Sequence, residues 1–362
     1  MKVFSKKPTQ EPDFPQQRFD DSYIKSRLEP IVKETVSGVE FFKLKGDASD
    51  RSYFRANYSL KNHPNEKPSI IVMQLKNPAP EKEPDFNRMQ KFLIHLDIPV
   101  PEILYYDAGR GLVFLEDSGD THLEDLVRSS TENIIPWYQK AIEHIVTMQT
   151  HVTQNMRASC PAHSLKFDVE KLMWEMDFMM EHFIRGYLGR SLDQSEESTI
   201  RTTLLSLCET LSKEEKVFVH RDFHSRNLMM QGENLILLDF QDARMGPRQY
   251  DLASLLKDSY VVLEEETRNE LLGYYLKRME EEVDQHISRS HFLKIFDLMS
   301  VQRNLKAIGT FSFQYMEHKN GRYLKYIAPT LKYVREAIHS QPGLEKLGIA
   351  LRSAIPGLNS GT

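Results

Sequence analysis

Only two cysteines, Cys160 and Cys208, occur in 362 residues, too few for a disulfide framework or a cysteine-based zinc site. No apolar run reaches the ~18 residues that would suggest a membrane span. The first residues, Met1-Lys2-Val3-Phe4-Ser5-Lys6-Lys7-Pro8, lack the hydrophobic stretch of a secretion signal. A cytoplasmic location is therefore the default expectation. A strong charge of either sign is missing too. The 47 Lys and Arg against 52 Asp and Glu leave −5, which points to neither a nucleic-acid nor a membrane partner. No internal repeat is visible. What remains, 40% hydrophobic and 27% charged, is ordinary globular composition in a chain long enough for two lobes.

Against this background one stretch is distinctive. Val219-His220-Arg221-Asp222-Phe223-His224-Ser225-Arg226-Asn227 is followed by Leu237-Leu238-Asp239-Phe240. The spacing is that of the kinase catalytic loop H-R-D-x-x-x-x-N, with an Asp-Phe pair whose Asp lies twelve residues after the Asn. Phosphoryl transfer from ATP needs one carboxylate to orient the acceptor hydroxyl and take its proton. It also needs an amide oxygen and a second carboxylate to hold Mg²⁺ against the phosphates. Asp222, Asn227 and Asp239 can fill these roles in that order. Residues 217–219 read as a short strand delivering the loop. Apolar runs at 228–230 and 235–238 flank the turn Gln231-Gly232-Glu233-Asn234, predicting a hairpin that returns Asp239 to Asn227. The bland alternative is a turn-rich hairpin with capping carboxylates.

Residues 1–20, rich in Pro, Gln, Lys and Asp, read as a flexible tail. Strand-like runs follow at 39–44, 53–58 and 69–75. A helix is expected at 83–96, with Phe86, Met89, Phe92, Leu93 and Leu96 on one face, then strands at 103–106 and 112–115. Residues 21–116 thus form a small β-rich, nucleotide-binding N-lobe, and 117–120 a hinge. Residues 121–362 form a mostly helical C-lobe that carries the catalytic loop, with helices expected at 133–152, 168–188, 196–211, 264–283, 291–313 and 322–338. The class is α+β and bilobal. An active site between lobes would let closure exclude water.

The chain resembles the aminoglycoside phosphotransferase and choline-kinase branch of the protein-kinase-like fold, and within it the bacterial kinases of cell-wall amino sugars. The likeness rests on Gly46-Asp47-Ala48-Ser49-Asp50-Arg51-Ser52-Tyr53-Phe54-Arg55, Gly111-Leu112-Val113-Phe114-Leu115-Glu116-Asp117, the 220–227 loop, and Asp239-Phe240-Gln241-Asp242-Ala243 with Gly246-Pro247 and Tyr250-Asp251-Leu252. A weaker segment is Gln302-Arg303-Asn304-Leu305-Lys306 with Gly309. The resemblance implies that Asp222 is the catalytic base and that Asn227 and Asp239 are Mg²⁺ ligands. It implies that Glu116, Asp117 and Ser118 lie where the hinge meets adenine. It also implies ATP as donor, and the anomeric hydroxyl of N-acetylmuramate or N-acetylglucosamine, in peptidoglycan recycling, as acceptor. Asp251 resembles an aspartate that holds the catalytic-loop backbone; locally it could be a helix N-cap.

Two departures from protein kinases matter. The phosphate loop has one glycine, leaving Ser49, backbone N–H groups and Arg51 as phosphate contacts. The strand Ile70-Ile71-Val72-Met73-Gln74-Leu75-Lys76 lacks a clear V-A-I-K lysine; Lys76, on the face of Gln74, is either that lysine or a solvated edge residue. Its acidic partner would be Glu83 or Asp85. No A-P-E-like segment follows Asp239, which argues against a protein acceptor. His224, Arg226, Asp242 and Arg303 are further candidates for the acceptor side. Each has a plain alternative: loop packing for His224, an ion pair with Asp242 or another local acid for Arg226, a turn cap for Asp242, a helix flank for Arg303. Trp174, Phe178 and Phe183 are either a sugar-stacking wall or core, and the methionines at 173, 176, 179 and 180 either a pliable lid or core filler. Rival readings are a kinase of aminoglycosides or choline-like alcohols and a nucleotide-binding pseudokinase.

Overall fold

A computed structural model describes residues 17–44, 51–129, 133–284 and 286–359. Residues 1–16 of the expected tail, and Ser49 with the rest of Gly46–Asp50, lie outside the described residues. The chain divides into two compact units, Met1–Pro84 with Pro101–Asp117, and Asp85–Val100 with Ser118–Thr362.

In the first unit, helix α1 (Asp21–Val32) precedes a five-stranded antiparallel sheet. Its strands β1 (Val36–Lys43), β2 (Arg51–Leu60), β3 (Ser69–Leu75), β4 (Ile103–Asp107) and β5 (Leu112–Glu116) lie in the order β1-β2-β3-β5-β4. The α1 start is set by Asp20, whose carboxylate accepts from the Tyr23 amide at 2.8 Å. Period-two alternation does the rest. Phe54 stands opposite Val72, and Val72 opposite Phe114. These side chains join Ile24, Leu28, Ala56, Ile70 and Leu112 in one buried cluster under α1. Gly111 turns β4 into β5 with φ +61°, and a β-carbon there would lie 2.6 Å from that of Pro78, so glycine is needed.

In the second unit, helix α2 (Asp85–Ile94) departs from the expected division. The sequence grouped it with the strands, yet its buried face belongs with the helices: Phe86 stacks on Phe240 and Met89 meets Cys160. Helices α3 (Leu123–Ser129), α4 (Ile135–Thr147), α5 (Val169–Met179) and α6 (Gln194–Ser212) follow. Helix α4 continues as a π-helical turn over Met148–Val152, and α5 as a longer one over Met180–Tyr187. Strand β6 (Lys216–Val219) pairs with β9 (Arg244–Pro247), and β7 (Leu228–Gln231) with β8 (Asn234–Leu237). Helices α7 (Gln249–Leu256), α8 (Glu265–Val283), α9 (Arg289–His318), α10 (Ile327–Ser340) and α11 (Glu345–Ala354) complete the unit. The 30-residue α9 is its axis. It crosses α5 so closely that a β-carbon on Gly309 would sit 2.8 Å from the Met179 Cα. The architecture is α+β, an antiparallel sheet followed by a mostly helical region. Among the described residues no helix is long and apolar enough to cross a membrane.

Candidate active site

The loop after β6 is held by carboxylates supplied from later in the chain. Arg221 takes a left-handed conformation, φ 82°, where a non-glycine residue is costly and must be held. Asp251, fully buried, does the holding: its carboxylate accepts from the amides of His220 at 2.6 Å and Arg221 at 2.9 Å. Burial pushes its pKa up to about 7 against the pull of those two donors. Asp251 lies inside the first turn of α7, where Arg248 is the N-cap residue, so the capping alternative gives way to the loop-holding role. Asp258 does the same one step on, accepting from the Ser225 amide at 2.9 Å and hydroxyl at 2.5 Å.

On this frame Asp222 keeps a quarter of its side-chain surface exposed. The Lys306 ammonium donates to its Oδ1 at 2.9 Å, and an Arg221 Nη lies 3.9 Å from Oδ2. Burial alone would raise the carboxyl pKa; Lys306, followed by Arg221, overrides it and holds Asp222 well below the usual carboxylate range. Asn227 donates its amide N–H to the Asp222 carbonyl at 2.9 Å, which points its amide oxygen the other way. The β7–β8 hairpin forms on the expected turn, with Gly232 at φ +60°. Its base is closed by the Leu238 amide on the Asn227 carbonyl at 2.9 Å, which brings Asp239 back beside Asn227. Asp239 itself is left-handed, φ 62°, and accepts from Gln241 at 2.6 Å.

One carboxylate and one amide oxygen on a closed hairpin suit Mg²⁺, which is held by few protein oxygens plus substrate phosphates and water. No cluster of three or more His, Cys, Asp or Glu able to hold a metal occurs among the described residues.

The remaining acceptor-side candidates are placed differently. Arg226 is clamped by Glu124 through two hydrogen bonds, donates to the Tyr326 hydroxyl at 2.6 Å and lies 3.9 Å over the Tyr260 ring. This is the ion-pair alternative, with Glu124 in place of Asp242. Asp242 instead faces Arg221 at 3.4 Å. His224 packs edge-on against Tyr260, and burial lowers its pKa to about 3, so it is neutral. Arg303 is 5% exposed and bonds Ser254, the Lys257 carbonyl and Asn304. It thus ties α9 to α7 instead of flanking the helix in solvent. Trp174, over half exposed, stacks on Phe178, which meets Phe313 of α9 at 5.3 Å. Phe183, Met176, Met179 and Met180 are buried core.

On the donor side, in the first unit, Arg51 opens β2 opposite Leu75. The Asp117 carboxylate accepts from Arg55 at 2.9 Å and Ser69 at 2.6 Å, bracing β2 and β3. Glu116 pairs through its backbone amide with the Glu102 carbonyl. Ser118, in the second unit, is buried. Lys76 lies just past the end of β3 and is exposed while Gln74 is fully buried, so the strand's alternation does not carry to it. Sequence reasoning missed Lys306 as a partner of Asp222. The signal was within the weak segment 302–306, where attention went to Arg303.

The model of the phosphotransferase enzyme family matches residues 43–286. An N-acetylmuramate/N-acetylglucosamine kinase of Neisseria meningitidis serogroup B is 31% identical over 315 residues, 86% of this chain and 89% of that one. One from Pseudomonas aeruginosa is 29% identical over 326 residues, 89% and 90% of the two chains. Among solved structures, an ADP-bound aminoglycoside phosphotransferase APH(2'')-Ib aligns with a TM-score of 0.52 at 16% identity, covering 91% of this chain and 99% of that one. A Plasmodium vivax ethanolamine kinase aligns with 0.57 at 12% identity, covering 88% and 91%.

Proposed function

We infer, from the premise that this chain belongs to the phosphotransferase enzyme family, that it transfers the γ-phosphoryl group of ATP to the anomeric hydroxyl of an N-acetylated amino sugar, N-acetylmuramate or N-acetylglucosamine. The observation that carries the chemistry is the ionised, partly exposed Asp222, set on a braced loop beside Asn227 and Asp239. Support for the sugar is the roughly 30% identity, over most of both chains, to kinases of those two sugars. Such a role would sit in peptidoglycan recycling.

Asp222 orients the acceptor hydroxyl and receives its proton as the phosphoryl group moves. A carboxylate held this low is a weak base. An anomeric hydroxyl is more acidic than an ordinary alcohol, and the loose transition state of phosphoryl transfer asks for alignment more than for early proton removal. Asn227 and Asp239 are the residues that would hold Mg²⁺, which when bound neutralises charge on the phosphates. On the donor side, Arg51, Glu116, Asp117 and Ser118 are the described residues proposed for the nucleotide, with Asp117 also bracing the sheet. The aromatic ledge of Trp174, Phe178 and Phe313 supports a pyranose acceptor, whose C–H face suits an exposed ring. Incubation with Mg·ATP and a panel of amino sugars, aminoglycosides and amino alcohols, followed by ³¹P NMR, tests the reading. Phosphate on C1 of an N-acetylated amino sugar is expected; phosphate only on aminoglycosides, or on nothing, overturns it.

A further inference from the structure

We propose that Lys306 is a catalytic residue, its ammonium shared between Asp222 and the phosphoryl group in transit. The proposal rests on the phosphotransferase reading, although not on which acceptor is used.

Position comes first. The Lys306 Nζ lies 2.9 Å from Asp222 Oδ1, so an acceptor hydroxyl within hydrogen-bond reach of this carboxylate lies close to the ammonium. The attacked phosphorus is one bond further on. Among the described residues Asp222 is the only hydrogen-bond partner of Nζ, and a lysine has three donors. Two N–H groups are left to point where the reacting oxygens gather.

The loop's own basic residues are committed elsewhere. Arg221 is spread over three acids, Asp242 at 3.4 Å, Glu175 at 3.8 Å and the far Asp222 oxygen at 3.9 Å, and donates to none of them at hydrogen-bond distance, while Arg226 is clamped on Glu124 between Tyr260 and Tyr326. His224 is neutral and packed on Tyr260. A cation for the transition state therefore comes from outside the loop, on α9.

That helix is built to present it. Gln302 donates to Glu175 at 3.0 Å, Arg303 grips Ser254 and the Lys257 carbonyl, and Gly309 lies against the Met179 backbone. Lys306 sits between these anchors and is partly exposed, as Thr310 and Phe313 are on the same α9 face. An ammonium beside a general base weakens that base. The pairing makes chemical sense if the charge serves the phosphoryl oxygens, where a fixed donor lowers the barrier most.

The step balances without a further reagent. The acceptor oxygen forms a bond to the γ-phosphorus while the bond to the β,γ-bridging oxygen breaks, releasing ADP. The acceptor's proton passes to the Asp222 carboxylate, and Lys306 remains protonated throughout as a hydrogen-bond donor.

The test is Lys306→Met in the full chain, read first by binding and then by turnover. The variant should bind Mg·ADP as the wild type does, yet lose about 100-fold or more in affinity for the Mg·ADP–tetrafluoroaluminate transition-state mimic. With the wild type's acceptor, kcat should fall ~10²–10³-fold while both KM values stay within about threefold. Lys306→Arg should recover part of the loss. Lys306→Cys, alkylated with 2-bromoethylamine to restore an ammonium on a similar stem, should recover most of it; Cys160 and Cys208 are buried away from the reagent. Unchanged mimic affinity in Lys306→Met overturns the proposal. So does a folded, alkylated Lys306→Cys protein that stays defective. A wild type that binds the mimic tightly and phosphorylates no panel sugar would retire the sugar acceptor and leave Lys306 standing.

Discussion

Replacing Gly309 by alanine should destabilise the protein, even though alanine is the better helix former. The new β-carbon would lie 2.8 Å from the Met179 Cα, 3.1 Å from its Cβ and 3.2 Å from its amide nitrogen. Ordinary contact begins near 3.4 Å, so α5 and α9 would have to part by about 0.6 Å, and two of those three atoms are backbone that cannot swing aside. Overpacking of this kind costs ~1–3 kcal/mol. The propensity gain of alanine over glycine returns ~0.8–1.0 kcal/mol. The net is a loss of about 1 kcal/mol. Gly273, in the middle of α8 with nothing within 4 Å of its added β-carbon, is the internal control. Gly273→Ala should stabilise by ~0.8 kcal/mol for the propensity reason alone. Urea midpoints of the two variants should therefore move in opposite directions. Activity should separate them further. Gly309 is one turn from Lys306, and a shift approaching 1 Å near reacting groups costs up to ~10²-fold, so kcat of Gly309→Ala should drop about tenfold or more. If Gly309→Ala proves as stabilising as Gly273→Ala and fully active, the close crossing of α5 and α9 is wrong.

Asp222→Asn should abolish turnover and leave Mg·ATP binding within about twofold by calorimetry, since the change removes the base and keeps the shape; wild-type rates would end its assigned role. His220 is 1% exposed, and burial lowers its pKa from 6.5 to about 4. Between those values His220 binds more protons in the unfolded chain than in the folded one, so its own contribution to stability rises with pH and is lost on acidification, by about 2.5 kcal/mol between pH 7 and 4.5. His220→Gln should flatten that part of the urea-midpoint profile, and an unchanged acid slope would refute the buried neutral ring. Trp174→Ala should raise the KM for the sugar about tenfold with kcat and the KM for ATP little changed, the pattern of lost uniform binding; a drop in kcat alone would place Trp174 elsewhere in the reaction.

What was legible in the sequence was whatever local pattern determines. Short strand-like runs marked β2, β3 and β5, and the turn Gln231–Asn234 marked the β7–β8 hairpin, because neighbouring residues alone set these. Long apolar stripes marked α8 and α9 for the same reason. Helix α1 was not foreseen: Pro30 interrupts its pattern, and its apolar face makes sense only against the sheet that follows. The membership of α2 was misjudged because sequence proximity favoured the strands, whereas stacking on Phe240 decides it. Asp222 was legible from spacing, but its partner was not, since no rule of spacing connects Asp222 to a lysine on α9. Arg303 was singled out from that segment and Lys306 was not, yet Arg303 is buried and Lys306 is partly exposed.

The carboxylates that hold the catalytic-loop backbone come from residues made after it. Asp251 and Asp258 follow their loop partners by about 30 positions, and Lys306 follows Asp222 by 84. During synthesis from the N-terminus the loop therefore emerges as an unbraced segment, with Arg221 unable to stay left-handed, and remains so until α7 has folded onto it. A chain ending at residue 286, the limit of the family match, would display the whole recognisable motif and still lack the ammonium at its centre. Incomplete products of translation or proteolysis would thus carry the signature of the enzyme while lacking the last component of its reacting centre.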